Sequence, residues 1–376
     1  MDIYDQALQA HKDTKGKIYT GLRGAVTPES LRLYYSPGVG GVSLYVKNDP
    51  EKLKEVSWVR NLVAIISDGS AVLGLGDIGP IGAMPVMEGK AMLFKHFADI
   101  DAVPIVLNVH TPDEIVTAIK AIAPSFGGIN LEDIAAPKCF EIEERLKAEL
   151  AIPIMHDDQH GTAIVVLAGL INAMKLSGRT LQDAKIVVTG AGAAGTAIIK
   201  LLHLYASPRI FAVDSKGVIS ANRTDLNDEK KKLLAYTNMS NIDGSLADIL
   251  QGADVFIGVS KAGLLTPEMI KSMDKNPIIF ALANPEPEIM PDVAKQAGAY
   301  IVATGRADFA NQVNNSLGFP GIFRGALDNG VTKITDLHKI AAAEALAALV
   351  SNPTVDKIIP GPFDDGVVAA VANVIR

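Results

Sequence analysis

The chain is short of the residues that build disulfide scaffolds, nucleic-acid surfaces and membrane spans. It has one cysteine, Cys139, among 376 residues. That excludes an internal disulfide framework and fits a reducing, cytoplasmic setting. Basic residues (35) are outnumbered by acidic ones (42), for a net charge of −7. A nucleic-acid partner is not expected, because phosphate neutralisation needs clustered Lys and Arg. The longest apolar stretch, Ala163 to Leu176, is interrupted by Asn172 and falls short of the ~20 residues of a membrane span. It reads as a buried helix, with no membrane partner. The start, Met1-Asp2-Ile3-Tyr4-Asp5, is acidic and lacks the basic-then-apolar order of a secretion signal. Aromatic residues are sparse at 5%, yet the total apolar fraction of 48% is that of a globular enzyme and excludes disorder of the whole chain.

What is present is alternation. Short apolar runs at 103–109, 129–131 and 152–155 read as strands. Between them lie helical stretches, one opened by Thr111-Pro112-Asp113-Glu114 and one over 138–150 with Ile142, Leu146 and Leu150 four residues apart. Strand–helix–strand order predicts parallel pairing. A long apolar helix is expected from Gly161 to about Leu176, then a break at Ser177-Gly178-Arg179. Further strands are expected at 185–189, 210–213, 255–259, 278–281 and 300–302, and a late helix over 341–350. The expected class is α/β. An N-terminal α/β domain with parallel strands (1–160) carries substrate and metal, and a C-terminal Rossmann-type NAD-binding domain (161–376) is joined to it by a helix.

Gly190-Ala191-Gly192-Ala193-Ala194-Gly195 follows the strand Lys185 to Thr189 and precedes an apolar helix. This is the GxGxxG arrangement in the context it requires. The first glycine allows a tight turn, the second lets backbone approach a pyrophosphate, and the third lets helix pack on strand. The helix N-terminus offers free N–H groups to phosphate. Asp214 stands 24 residues after Gly190, at the end of the next strand. A carboxylate there accepts ribose hydroxyls and repels a 2′-phosphate, which favours NAD over NADP. Lys216, two residues on, softens that preference, so NADP stays open. The alternative is a glycine-rich turn without ligand.

Acids stand at two strand ends, Glu132-Asp133 and Asp157-Asp158. In open α/β sheets ligands bind beyond the carboxyl ends of strands. Hard oxygen donors from neighbouring strands suit Mg²⁺ or Mn²⁺, and Glu132, Asp133 and Asp158 are the candidate ligands. The alternative is surface acids, with Asp157 or Asp158 capping the helix near Gly161. Lys90 is expected in the first turn of a helix, where the dipole disfavours a cation. It is either a base with a lowered pKa or an exposed surface lysine. Tyr35, beside Ser36-Pro37-Gly38, is either a phenolic acid or a hydrophobic plug.

Taken in order, several segments resemble the malic enzymes in their short bacterial form. They are Tyr35-Ser36-Pro37-Gly38-Val39, Leu73-Gly74-Leu75-Gly76-Asp77-Ile78-Gly79, Pro85 to Lys90, Asn130-Leu131-Glu132-Asp133 and His156 to Thr162. The glycine loop, Ala283-Asn284-Pro285 and Asn311 to Asn315 complete the set. The resemblance implies oxidative decarboxylation of L-malate to pyruvate and CO₂. It implies Lys90 as general base and Tyr35 as general acid, with Glu132, Asp133 and Asp158 on the metal. It further implies Asn284 as a cofactor contact, Asn315 as a substrate contact with Asn314 second to it, and Asp77 as a partner near Lys90. One departure stands out. Larger members carry an arginine shortly before the Leu-Gly-Leu-Gly-Asp run to grip malate, and residues 67–72 here, Ser-Asp-Gly-Ser-Ala-Val, have none.

Rival readings are a malolactic-type conversion of malate to lactate without net NAD turnover, oxaloacetate decarboxylation as the main role, and a nucleotide-sensing regulator without chemistry. The apolar content and the resemblance point to a homodimer, in which Tyr35 can come from the partner subunit.

Overall fold

The computed structural model describes residues 3–14, 16–72 and 74–376. Met1, Asp2 and Leu73, used in the sequence reading, lie outside the described residues.

Two open sheets carry the fold. The first has the order β2-β1-β3-β4, all parallel, from β1 (Leu62–Ser67), β2 (Asp101–Val106), β3 (Gly128–Leu131) and β4 (Ile154–His156). The second has the order β10-β9-β8-β5-β6-β7, from β5 (Lys185–Thr189), β6 (Arg209–Asp214), β7 (Gly217–Val218), β8 (Val255–Gly258), β9 (Ile278–Ala281) and β10 (Ile301–Thr304). Only β7 runs antiparallel, at the edge beside β6. The expected α/β class with parallel strands holds. The central strand of the first sheet, β1, is one the sequence reading did not name. It is a continuous apolar run buried on both faces, and periodicity cannot tell such a strand from a helix segment.

The chain opens with helices α1 (Ile3–Thr14), α2 (Pro28–Tyr34), α3 (Val39–Asn48) and α4 (Leu53–Val56), none with a buried residue. The first sheet is then covered by α5 (Gly79–Ala98) on one face and by α6 (Pro112–Ile122) and α7 (Lys138–Glu149) on the other. Alternation along β1 divides its side chains. Val63 and Ile65 join the face of α5, whereas Leu62, Ala64 and Ile66 join Ile115, Ile119 and Leu146. The start of α6 is as expected, a capping box in which Thr111 Oγ1 accepts the Glu114 N–H at 3.3 Å.

Helix α8 (Asp157–Ser177) joins the two halves. It begins four residues earlier than expected, at Asp157, and ends on Gly178 in the left-handed conformation (φ 70°). Its side chains share one apolar cluster with Val63 and Ile65 of the first sheet and Ile186 and Val188 of the second. By length and composition α8 could cross a membrane, but it is a core helix, mostly buried. Asn172, which breaks its apolar run, is buried and donates from Nδ2 to the carbonyls of Ala347 and Ile358, both at 2.9 Å. A buried amide is tolerated because both donors are used.

In the second half, α9 (Ala193–Ala206) follows β5 and packs on α8. Helices α10 (Asp228–Leu233), α11 (Leu246–Leu250), α12 (Pro267–Ser272) and α13 (Pro291–Gln296) lie among the later strands. Residues of α11, α12 and α13 form a separate cluster with Val187, Phe256 and Ile279 on the far face. The chain then returns. Helix α14 (Phe319–Asn329) packs on α5 through Phe94, whose ring lies 4.7 Å from Phe319 and 5.4 Å from Phe323. Helices α15 (Asp336–Ala348) and α16 (Val367–Ala372) close the same core.

Candidate active site

Four acids and one amine meet at the carboxyl ends of β3 and β4. Glu132 follows β3, its N–H bonded to the Ile66 carbonyl at 2.9 Å and its carboxylate held by Asn130 Nδ2 at 2.8 Å. Asp157 and Asp158 open α8. Neither caps its helix, whose N-cap is His156 without a side-chain bond. Asp158 reaches across instead, accepting the Asp133 N–H at 2.8 Å, with Asp133 at φ 53°. That cross-strand bond fixes the two acid pairs relative to each other.

Lys90 corrects an expectation. It is not in a first turn but is the twelfth residue of α5, which starts at Gly79-Pro80. No helix end acts on it. It is buried, and its ammonium lies 2.6 Å from Asp157 and 2.8 Å from Glu132, with the Phe319 ring centroid 4.3 Å away. The exposed-lysine alternative is therefore gone. Burial, the largest influence, pushes the amine pKa down. Asp157, Glu132 and Asp158 push it up and prevail, so Lys90 sits above the ordinary lysine value. The acids rise too. Burial lifts Asp157 to about 7 against the pull of Lys90. Glu132 and Asp158 are likewise raised, first by burial. The directions agree physically, because two buried acids and the half-buried Asp158 crowd around one ammonium among the described residues.

Asp77 is a second correction. It bonds the Gly79 N–H at 3.2 Å at the start of α5. Lys90 lies eleven helical steps beyond Gly79, about 16 Å along the axis. It is not a partner of the lysine.

Sequence reading missed two residues. From the sequence Asp157 reads as a helix cap. Glu143 was not considered, although it interrupts the buried stripe Cys139, Ile142, Leu146 of α7, and an acid in an apolar stripe is the signal that could have found it. Its carboxylate accepts the His156 N–H at 2.9 Å and pairs with His160 Nε2 at 2.8 Å. It thus ties down the segment presenting Asp157 and Asp158. Asn315 comes to the same place. A Cβ on Gly161 would lie 1.9 Å from Asp157 Oδ1 and 3.1 Å from Asn315 Cβ, so glycine is required where these side chains cross the first turn of α8. Asn314 instead caps the turn at 315–317, accepting the Ser316 N–H at 2.9 Å. In the stretch without arginine, Asp68 turns inward and pairs with Lys138.

Tyr35 is not brought to this cluster. It ends α2, is 70% exposed, and among the described residues no hydrogen bond or ion pair joins it to Lys90 or the acids.

Among the described residues no three carboxylate or imidazole groups form a ready-made ion cage. The donor set nevertheless suits a hard divalent cation. Glu132, Asp133 and Asp157 are buried and Asp158 is half-buried, Asp157 Oδ1 has no hydrogen-bond partner, and an ammonium already lies between two of the acids.

The glycine loop behaves as its spacing predicts. Gly190 has φ 99°, and a Cβ there would lie 2.6 Å from the Val259 carbonyl oxygen. A Cβ on Gly195 would lie 1.8 Å from the Gly190 oxygen, whereas one on Gly192 meets nothing within 4 Å. The open space at the second glycine is where a pyrophosphate fits. Helix α9 starts at Ala193 with no side-chain cap, leaving its first N–H groups free for phosphate. Ala193 itself packs against the first-sheet cluster that holds Leu131, Ile134 and Cys139. This puts the dinucleotide loop beside the acids. Asn284, after β9, lies between two loops, its carbonyl against Gly74 and its amide against Gly305. Asp214 ends β6 as expected, but it is not free. Arg223 and Lys230 occupy both its oxygens.

Two family profiles match the chain, "Malic enzyme, N-terminal domain" over residues 15–147 and "Malic enzyme, NAD binding domain" over 159–365. The chain belongs to the malic enzyme family. It is 55% identical to a bifunctional malic/malolactic enzyme of Bacillus subtilis over 100% of this chain and 92% of that one. It is 51% identical to an NAD-dependent malic enzyme of Geobacillus stearothermophilus, over 96% of this chain and 76% of that one. The crystal structure of an NAD-dependent malic enzyme from Thermotoga maritima superposes with a TM-score of 0.95 at 50% identity, covering 98% of each chain. The α/β fold with a Rossmann-type NAD-binding half, and the status of the chain as an enzyme, stand with this membership.

Proposed function

We propose that this chain converts L-malate and NAD to pyruvate, CO₂ and NADH with a divalent cation, Mg²⁺ or Mn²⁺, as a homodimer in the cytoplasm. The observation that carries the reading is the buried amine of Lys90 between Glu132 and Asp157, beside the dinucleotide loop. Residues 1–160 supply the substrate and metal side, and residues 161–376 the cofactor side.

Glu132, Asp133 and Asp158 are the proposed metal ligands. A divalent ion held there would offset these carboxylates and supply a Lewis acid for the substrate oxygen, with NAD as the hydride acceptor. The chain's own residues do the rest. Offsetting Glu132 and Asp158 would remove two of the three acids that push the Lys90 amine up, and Lys90 is the base that takes the hydroxyl proton. Asp157 orients that amine, and Glu143 orients Asp157. Asn315, with Asn314 second to it, holds the malate carboxylate in place of the missing arginine, and Asn284 meets the cofactor. After CO₂ leaves, Tyr35 returns one proton to carbon. One proton is taken and one is given, so the reaction balances without net acid.

The exposure of Tyr35 bears on assembly. None of the described residues 3–58 is buried, yet Tyr4, Leu22, Leu33, Tyr34 and Leu44 are each more than half exposed. An apolar arm of this length is covered when it packs on a second copy of the chain, which also delivers Tyr35 to the partner's lysine. The single thiol, Cys139, is buried and pushed up to about 12, chiefly by burial, so it is unreactive.

The name of the Bacillus subtilis relative favours one further reading, in which some pyruvate is reduced to lactate before release. The test is an assay of malate with NAD, with and without Mn²⁺, following NADH, pyruvate and lactate. NADH and pyruvate in equal amounts, only with metal, are expected. Lactate without NADH would replace the proposal by the malolactic one.

A further inference from the structure

A carboxylate with no part in the proposed reaction lies at the ends of β8 and β9. Glu288 is fully buried, and among the described residues no ion pair holds it. Backbone N–H groups do so instead. Its Oε1 accepts the Ser260 N–H at 3.0 Å, and its Oε2 accepts the Ala283 N–H at 3.0 Å. The last paired residues of the two strands are Gly258 and Ala281, so Ser260 and Ala283 stand at equivalent positions two residues further on. The main chain repeats the link. The Glu288 carbonyl accepts the Leu265 N–H at 3.1 Å, and the Pro287 carbonyl accepts the Gly263 N–H at 3.2 Å. Burial pushes the carboxyl above its ordinary pKa, and the backbone N–H groups act against that rise. Even the neighbouring strand makes room for it. A Cβ on Gly258 would lie 2.3 Å from Glu288 Cδ, so glycine is required there.

Both ends of this bridge lead to the proposed cofactor contacts. On one side, the Val259 N–H donates to the Thr189 carbonyl at 3.0 Å, and Ser260 Oγ donates to Thr189 Oγ1 at 3.4 Å. Thr189 immediately precedes the glycine loop, and a Cβ on Gly190 would lie 3.2 Å from Ser260 Cβ. On the other side, Ala283 immediately precedes Asn284. In the order β9-β8-β5-β6, Asp214 marks the adenosine side of the glycine loop. The nicotinamide half therefore crosses the ends of β8 and β9. We propose that Glu288 is a positioning residue that fixes the gap between the glycine loop and Asn284, in which the nicotinamide nucleotide is held. It reaches the cofactor only through Ser260 and Asn284. Its two oxygens are both acceptors, which an amide cannot copy. Glutamine accepts one N–H and turns an NH₂ donor toward the other.

This inference rests on the proposed dinucleotide site, and the test separates the two. NADH is titrated into the full-length protein and followed by its fluorescence. ADP, which lacks the nicotinamide nucleotide, is titrated by calorimetry, and thermal unfolding shows whether each variant is folded. The wild type should bind both ligands. Glu288→Gln should weaken NADH by about tenfold, the value of one hydrogen bond to a charged group, and ADP by less than about threefold. Gly258→Ala keeps the acid and pushes its carboxyl aside, and should give the same imbalance. Its clash falls on the far end of a side chain, not on backbone, so this variant should fold even where Glu288→Gln does not. Equal losses for NADH and ADP, unchanged NADH affinity, or failure of both variants to fold would overturn the positioning role. Failure of the wild type to bind NADH or ADP would overturn the dinucleotide site itself.

Discussion

Replacing Lys90 by alanine removes the cation that, among the described residues, pairs with Glu132 and Asp157. Two consequences follow, and they have different sizes. General base catalysis is worth about 10²–10⁴ in rate, so kcat for malate oxidation should fall by at least about a hundredfold. Separately, losing one partner of a buried ion pair costs about 3–5 kcal/mol of stability, because the acids remain in place without their counter-charge. A divalent cation supplies that charge, so the stability defect should shrink when Mn²⁺ is added, while the rate defect should not. NADH formation from malate reads the first effect, and thermal unfolding with and without Mn²⁺ reads the second. Dinucleotide binding, built on the other sheet, should change little. A folded Lys90→Ala protein with near-normal turnover would remove the lysine from the reaction. Equal recovery of rate and stability by Mn²⁺ would show that the amine acts only as a structural counter-charge.

Asp158→Ala should raise the Mn²⁺ concentration needed for half-maximal activity at least tenfold; an unaltered titration would exclude it as a ligand. Tyr35→Phe and Lys90→Ala, each inactive alone, should regain activity when their subunits are exchanged, because a mixed dimer holds one site with both groups intact; no recovery would place Tyr35 in its own chain's site. Asp157 has a native value raised to about 7 from 3.8. The metal-free native state therefore binds more protons than the unfolded chain between these values. The stability this gives is fully present below about pH 4 and lost as pH rises through about 7, with a limiting slope of about 1.4 kcal/mol per unit. Asp157→Asn should reduce that slope in urea unfolding followed against pH, leaving the part due to Glu132 and Asp158; an unchanged slope would exclude Asp157 as a source. Gly192→Ala should fold normally and lose NADH affinity, whereas Gly195→Ala, whose Cβ would lie 1.8 Å from the Gly190 oxygen, should lose both fold and affinity; equal thermal stability of the two variants would contradict the packing role.

Local signals in the sequence were read well where they are sufficient. The glycine spacing, the capping box at Thr111 and the acids after β3 and β4 each sit in a few consecutive residues, and the structure places them as expected. Properties that depend on contacts between distant segments were not legible. Nothing near Lys90 shows that α5 begins at Gly79, because Pro85 inside the helix reads locally as a break. With the start misplaced, a helix-end field was assigned to a lysine that is governed by acids 42 and 67 positions away. Asp214 is the same case. Its position was right, but its chemistry is set by Arg223 and Lys230, which a strand-end motif does not include.

Helix α8 shows why the two halves function together. Its body is buried in a core shared by both sheets, so it cannot move relative to either without opening that core. Its first residues are Asp157 and Asp158, and the positive end of its dipole faces the cluster where the acids are most crowded. Glu143 and Asn315 pin the first turn from α7 and from the segment before α14. Asp157 and Asp158 are thus carried on a helix with a buried body, while the glycine loop leads into the neighbouring helix α9, packed along it. The long apolar run is here the shared support that joins the sheet carrying the acids to the sheet carrying the glycine loop. Substitutions that loosen it, such as Asn172→Leu, leave two buried carbonyls without donors and act on the site from the far end of the helix.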